Sequence, residues 1–435
     1  MCTTYLVYKI VQHLLKHNVK FIDYPLLIRL NPNIPWKTRG NGAVALHVDA
    51  DYDIVEDMKT IVEKNSHVGI GANPGLVFHY GDITEEMREF ANDALHKVLS
   101  RKKATEIAKK HSMDTFSLGN GQGIVGALSA IGTALDTDYT FEIIAYRKEE
   151  NCGNKREIGR ESVIRMAEQT YPKTYNNYDY RHERVLIAPH GPDPIFCGIR
   201  GDDPDTLLRA FLMLDIKEEL EGYMIYRTNQ GTNMHLARKF DLSNLKTYTS
   251  GFVDGVVDGM PYAIEGGHAF FTLRNAGGPA LCAVYEPTGL SQLAQKLYDG
   301  DQIEIGGGVR KATSKHPKVI NVEYLRILKL APSLKYMNPC CRCGKRLKSE
   351  GKNKGYRCET CGSRELNAQK VSVEVRREIG EGLYIPVPKA HRHLTKPLQR
   401  YGREKHAYDN IMSEKWYCRF TEYDHNMLKL SQIGQ

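Results

Sequence analysis

The chain has 435 residues, 41% of them apolar and 26% charged, an ordinary globular balance that excludes a disordered polypeptide and allows about two to four domains. No apolar run reaches the roughly 18 residues that a bilayer span needs, and no signal-peptide core opens the chain, so a cytoplasmic protein is expected. Net charge is +8 but uneven: from Ala331 onward 21 Lys and Arg face 11 Asp and Glu, which points to a polyanion partner or to a solvated basic tail.

Met1-Cys2-Thr3-Thr4-Tyr5 leads into Leu6, Val7, Ile10, Val11, Leu14 and Leu15, an apolar stripe at helical spacing. Thr3 and Thr4 are thereby placed at a helix N-terminus, where free N–H groups and the dipole favour phosphate; a plain N-cap is the alternative. A buried helix seldom starts at the first residue, so a preceding segment is expected. Next, Leu26, Leu27 and Ile28 and then the run 43–46 read as strands. Between them lies Arg-Leu-Asn-Pro-Asn-Ile-Pro-Trp-Lys-Thr-Arg-Gly-Asn-Gly at 29–42. Lys37, Thr38, Arg39, Gly40, Asn41 and Gly42 would form a phosphate-binding loop, with positive φ open to the glycines and forked donors on the basic residues, or else a basic hairpin turn.

Helices are predicted over 51–64 and 84–103, joined by a Gly- and Pro-bearing connection at 69–75, with strands at 43–48 and 76–79; this is α/β alternation. Gly121, Gly123 and Gly126 match G-x-G-x-x-G, yet no full apolar strand precedes them, so a turn with close helix packing explains them as well as a dinucleotide site does. A helix at 127–135 and a strand at 139–146 follow, then strands at 185–188 and 195–199, a helix at 205–214 and a strand at 222–227. Arg200 sits at a strand's carboxyl end, where α/β ligand sites form, or pairs with Asp202 or Asp203. From Ser250, strands at 252–257, 269–273 and 280–285, a helix at 291–298, and strands at 302–305 and 322–330 follow the order of an OB-fold or of another small β-barrel.

Cys340 and Cys343 and, after 14 intervening residues, Cys358 and Cys361 form two C-x-x-C knuckles, each followed by glycine, and predict a closed, structural zinc site. Cys341 in place of Cys340 is possible but tightens the first knuckle. The other cysteines are scattered, which is no disulfide framework. Beyond the knuckles, Arg376, Arg377, Arg392, His393, Lys396 and Arg400, interleaved with Tyr384 and prolines, suit an RNA surface.

Met-Cys-Thr-Thr-Tyr, the 29–42 stretch and Ala-His-Arg-His-Leu-Thr-Lys-Pro-Leu at 390–398 carry a resemblance to the archaeal isoleucine-tRNA 2-agmatinylcytidine synthetases, from Met1 to about Arg400. The resemblance implies an α/β (α+β) multidomain fold: a kinase-like α/β core with an interleaved ferredoxin-like unit, an OB-fold barrel and a C-terminal zinc ribbon. It suggests an ATP-binding region at 1–118, an agmatine-binding region at 119–248, the OB-fold at 249–332, the ribbon and basic segment at 333–400 and an unassigned tail at 401–435. The implied reaction joins agmatine to carbon 2 of the wobble cytidine of a CAU-anticodon isoleucine tRNA, with ATP and Mg2+; neither membrane nor DNA is an expected partner. Thr3 maps onto the family's phosphorylated threonine, and Lys37 and Arg39 onto catalytic phosphate donors. Thr4, the rest of the loop and Arg200 are implied ATP contacts, while Gly121, Gly123, Asp193, Asp202 and Asp203 are candidates for agmatine. In that family an Asp-Asp-Thr-Asp-Ser strand end precedes Met-Cys-Thr-Thr and holds the magnesium. It is not in this chain, so the magnesium ligands are expected to be largely missing, and a non-catalytic tRNA-binding protein stands as the alternative. A nicotinamide enzyme built on Gly121–Gly126 would leave the ribbon and barrel unexplained.

Overall fold

The computed structural model describes residues 2–37, 40–314, 317–408 and 411–420. Thr3–Lys16 is a helix whose stripe of Leu6, Val7, Ile10, Val11 and Leu14 is buried against a mixed central sheet. In spatial order that sheet runs Gly42–Ala45, Leu26–Arg29, Leu220–Thr228, Thr140–Arg147, Ile195–Gly201 and Thr174–Tyr175. Leu26–Arg29 lies parallel to Leu220–Thr228, while Gly42–Ala45 pairs antiparallel with Leu26–Arg29 and so makes the 29–42 stretch a long hairpin loop. All eight residues of Thr140–Arg147 are buried, as expected of a central strand covered on both faces. The expected boundary at residue 118 falls inside this one hydrophobic core, because the strands on either side of it share the sheet.

The single helix expected over 84–103 is two, Glu85–His96 and Arg101–Lys110. Ser100 ends the break as an N-cap, its hydroxyl accepting the Lys103 N–H at 3.2 Å. The tail left without a role contributes Tyr417–Arg419, which pairs antiparallel with Leu220–Thr228, and Trp416 is buried beside Phe21.

Ser250–Ala263, Ala269–Asn275, Gly278–Val284, Gln302–Arg310 and Val319–Lys329 form the second body. The third strand meets the fifth in parallel at Cys282↔Ile320, which closes the five into a barrel with its own core of Val253, Phe271, Ile305 and Leu325. The helix after the third strand is short, Ser291–Ala294. This is the OB arrangement. A two-stranded stalk, Leu334–Met337 with Val371–Glu374, carries the cysteine ribbon. Among the described residues no helix is long and apolar enough to cross a membrane.

Candidate functional site

Arg29, where the hairpin loop opens, and Arg200, near the carboxyl end of Ile195–Gly201, converge on Glu142, the one acidic residue in its buried strand. Arg200 Nε donates to Glu142 Oε1 at 3.1 Å, and Gln230 Nε2 donates to Oε2. Arg29 places a second guanidinium 3.9 Å from Oε2, and a Cβ at Gly40 would lie 2.4 Å from Arg29 Nη1 and 3.6 Å from His393 Nε2. Arg200 Nη2 lies 2.9 Å from His393 Nδ1. Arg200 therefore belongs to this cluster and pairs with neither Asp202 nor Asp203.

At the same place Cys2 is the N-cap residue, with Thr3 and Thr4 in the first turn, so Thr3 is not the cap. Tyr226, hydrogen-bonded to Tyr146 at 2.7 Å deep in the core, donates to the Thr4 carbonyl at 3.0 Å and fixes the helix start. Burial pushes both phenols far above their ordinary range, which keeps them neutral donors. Lys37 is half-buried, and burial followed by the Arg392 guanidinium lowers its pKa. Asn41 donates to the Asn31 carbonyl at 2.7 Å and thereby ties the loop to itself. Gly42 is the first residue of the return strand, beside Arg29. Thr38 and Arg39 lie outside the described residues.

Several other expectations end elsewhere. Asp193 is paired with Arg156 at 3.4 Å, Asp202 with Arg400 at 3.2 Å and Arg403 at 2.6 Å, and Asp203 caps the helix Pro204–Leu212 by accepting the Thr206 N–H at 2.8 Å. An agmatine role for these carboxylates would share them with those partners. Gly123 packs on backbone: a Cβ there would come within 2.3 Å of Gly75 N and 2.5 Å of the Asn73 carbonyl. Gly121 adopts φ +72° in the turn before the same helix. Both glycines fit the close-packing reading.

The RNA expectation needs correction at three positions. Arg377 is buried on Asp301, Lys396 on Glu404 and Asp138, and Arg400 is fully buried on Asp138 and Asp202. Such side chains offer no charge to a phosphate backbone. Arg376 is exposed, and Arg392, at 42% side-chain exposure, bridges Glu323 and Asn33.

The metal cluster also differs by one residue. Cys341, Cys343, Cys358 and Cys361 bring their Sγ atoms within 4.8 Å of one another, while Cys340 faces solvent. The reason is the first knuckle's hydrogen bonding: Cys341 N–H donates to the Lys345 carbonyl at 2.8 Å and Gly344 N–H to the Cys341 carbonyl at 2.9 Å, so the turn is built on Cys341. Gly344 and Gly362, at φ +83° and +75°, take the conformation that lets each knuckle close. Backbone N–H groups of Cys361 and Thr360 lower the Cys358 thiol to about 6. Four thiols at tetrahedral reach fit Zn2+ with no open position. Cys341→Ser should abolish the bound equivalent of zinc and Cys340→Ser should retain it, as elemental analysis of the purified protein will show.

A cationic cluster at the edge of an α/β core, an OB barrel and a thiolate ribbon together define a multidomain protein with the parts of an RNA-handling enzyme. Family models match as the TiaS TCKD domain over residues 1–51, the TiaS FLD domain over 121–235 and the TiaS C-terminal zinc ribbon domain over 338–379. The chain is 43% identical to the isoleucine-tRNA 2-agmatinylcytidine synthetase TiaS of Cenarchaeum symbiosum over 93% of its own length and 90% of that protein's. It is 39% identical to the Staphylothermus marinus protein of the same name, over 98% and 96%. The crystal structure of a complex of TiaS with isoleucine tRNA and ATP superposes with a TM-score of 0.81 at 34% identity, covering 97% of this chain and 96% of that one. A complex with the same tRNA, AMPCPP and agmatine gives a TM-score of 0.80 at 32% identity, with the same coverage. This chain belongs to the TiaS family.

Proposed function

We propose that this chain is the ATP-dependent ligase that attaches agmatine to carbon 2 of the wobble cytidine of the CAU-anticodon isoleucine tRNA. The observation that carries the reading is membership, over 90% or more of both chains, of a family whose solved members hold isoleucine tRNA, ATP and agmatine. The chemistry is a two-part substitution. The carbon-2 oxygen of cytosine is a poor leaving group; a phosphoryl group moved from ATP onto that oxygen makes it a good one. The agmatine amine then forms the C–N bond, phosphate departs with the oxygen, and the amine loses a proton.

Phosphoryl transfer relies on positioning and charge neutralisation. In this reading Lys37, Arg39, Gly40 and Arg200 hold the triphosphate, Thr4 and the first helix lend their N–H groups, and Thr3 stands at the reacting end. Residues 1–248 share the small-molecule chemistry, while the barrel at 249–332 and the ribbon at 333–400, with exposed Arg376, present the tRNA. Zn2+, held by the four clustered cysteines, fixes the ribbon. Among the described residues the carboxylate of this cluster, Glu142, is flanked by Arg29, Arg200 and Gln230 and is not free to ligate Mg2+. In this reading the tRNA substrate supports a cytoplasmic location.

The test is mass spectrometry of a transcript of that isoleucine tRNA incubated with the chain, ATP and agmatine. The expected result is a mass gain of agmatine less water that requires both small molecules. tRNA binding with no gain would reject the ligase.

A further inference from the structure

Arg29 stands apart from the other buried arginines. Arg147 is clamped bidentately by Glu218, Arg156 reaches four carbonyl oxygens, and Arg400 has two aspartates and a carbonyl. Arg29 is only 13% exposed, yet among the described residues its guanidinium's polar contacts are the Gly40 carbonyl at 3.4 Å and Glu142 at 3.9 Å, and its Nε has no partner. A guanidinium so shielded costs free energy unless an anion completes it.

The surroundings say which way the deficit runs. Glu142 is one negative charge between two guanidinium groups, and Arg200 is turned towards His393 rather than towards a second carboxylate. The cluster therefore keeps one positive charge uncompensated in a low-dielectric place. Gly40 leaves the space above Arg29 Nη1 that any side chain at that position would fill.

We infer that Arg29 and Arg200 form a two-guanidinium cradle for the terminal phosphates of the nucleotide, and that Glu142 is the positioning residue that holds the two forks apart. The inference rests on the ATP-dependent reading above and adds to it two residues, Arg29 and Glu142, that neither the loop motif nor the family resemblance singles out. Forked donors suit the planar, bidentate recognition of phosphate oxygens, and a single carboxylate between them fixes their orientation without cancelling their charge.

The experiment measures equilibrium binding of ATP and of adenosine to the full chain and to Arg29→Ala and Arg29→Gln, with tRNA affinity and thermal unfolding followed in parallel. Loss of charge-assisted contacts should weaken ATP binding by about 10- to 100-fold in both variants and leave adenosine binding unchanged. A merely structural arginine would weaken both ligands alike. Arg29→Gln keeps the buried stem and carries the test should Arg29→Ala fail to fold. ATP affinity retained in Arg29→Gln overturns the cradle alone. An unsubstituted chain that binds no ATP overturns the nucleotide reading and the cradle together.

Discussion

Arg400→Ala is expected to destabilise the chain by about 3–5 kcal/mol, the cost of removing one partner from a buried ion-pair network. Arg400 is fully buried; its Nη2 donates to Asp138 at 2.7 Å, its Nη1 to the Gly231 carbonyl at 3.0 Å, and its Nε lies 3.2 Å from Asp202. Burial raises the Asp202 pKa, and Arg400 is the largest influence opposing that rise. Without the guanidinium, Asp202 keeps Arg403, and Asp138 keeps Lys396 and the Lys405 N–H, but the Gly231 carbonyl loses its donor and each aspartate loses a buried guanidinium partner. A loss of this size is a large share of the roughly 5–15 kcal/mol that holds a domain folded. Urea unfolding should show a midpoint shift at unchanged slope, and tRNA affinity per folded molecule should not change. A stable variant with weakened tRNA binding would restore Arg400 to the RNA surface and overturn the structural role.

That pair of outcomes marks where the sequence was readable and where it was not. The barrel and the ribbon were legible because their signals are local: strand runs in a fixed order, and thiols at knuckle spacing. Even there, Cys340 and Cys341 are adjacent, and only the hydrogen bond from Cys341 to Lys345 decides between them. The basic segment was legible as composition but not as exposure. Nothing near Arg377, Lys396 or Arg400 in the chain announces that Asp301 and Asp138 will meet them across the fold. The cationic cluster was legible in Arg200 but not as an assembly, for the same reason. Arg29, Glu142, Arg200 and His393 come from four distant segments, and the loop motif drew attention to its own basic residues rather than to the arginine that opens it. One local sign did exist: Glu142 is the lone acid in Thr-Phe-Glu-Ile-Ile-Ala-Tyr-Arg, and a carboxylate in a fully buried strand requires a partner. The Ser100 cap that splits the long helix was likewise present in the sequence, hidden by a continuous helical pattern on either side.

Glu323→Gln is expected to cost about 3 kcal/mol at neutral pH and to flatten the acid limb of the stability profile, by the pKa arithmetic that follows. Glu323 projects from the barrel into its junction with the hairpin loop, where Oε2 accepts from His235 Nε2 at 2.9 Å and Oε1 from Arg392 Nη1 at 3.0 Å. Arg392 also donates to Asn33 of the loop at 3.1 Å, and Asn33 in turn donates to Ser250 of the barrel at 2.9 Å. Burial alone would raise the Glu323 pKa; Arg392 and then His235 outweigh it and hold the carboxyl at about 2, against 4.5 for an ordinary glutamate. Because the folded pKa lies below the unfolded one, the stabilisation is fully present above about pH 4.5 and is lost as pH falls towards about 2. At about 1.36 kcal/mol for each unit of pKa the difference amounts to about 3 kcal/mol. The amide keeps the shape and one acceptor oxygen but removes the charge, so unfolding midpoints of the variant should fall less between those two pH values than the parent's, the rest of the fall coming from other carboxylates held low in the folded state, Glu404 among them. The barrel would also be held less firmly against the loop that carries Lys37, and this sets the effect apart from a defect inside the barrel. Parallel acid limbs for the two proteins would show that the junction does not depend on this carboxylate.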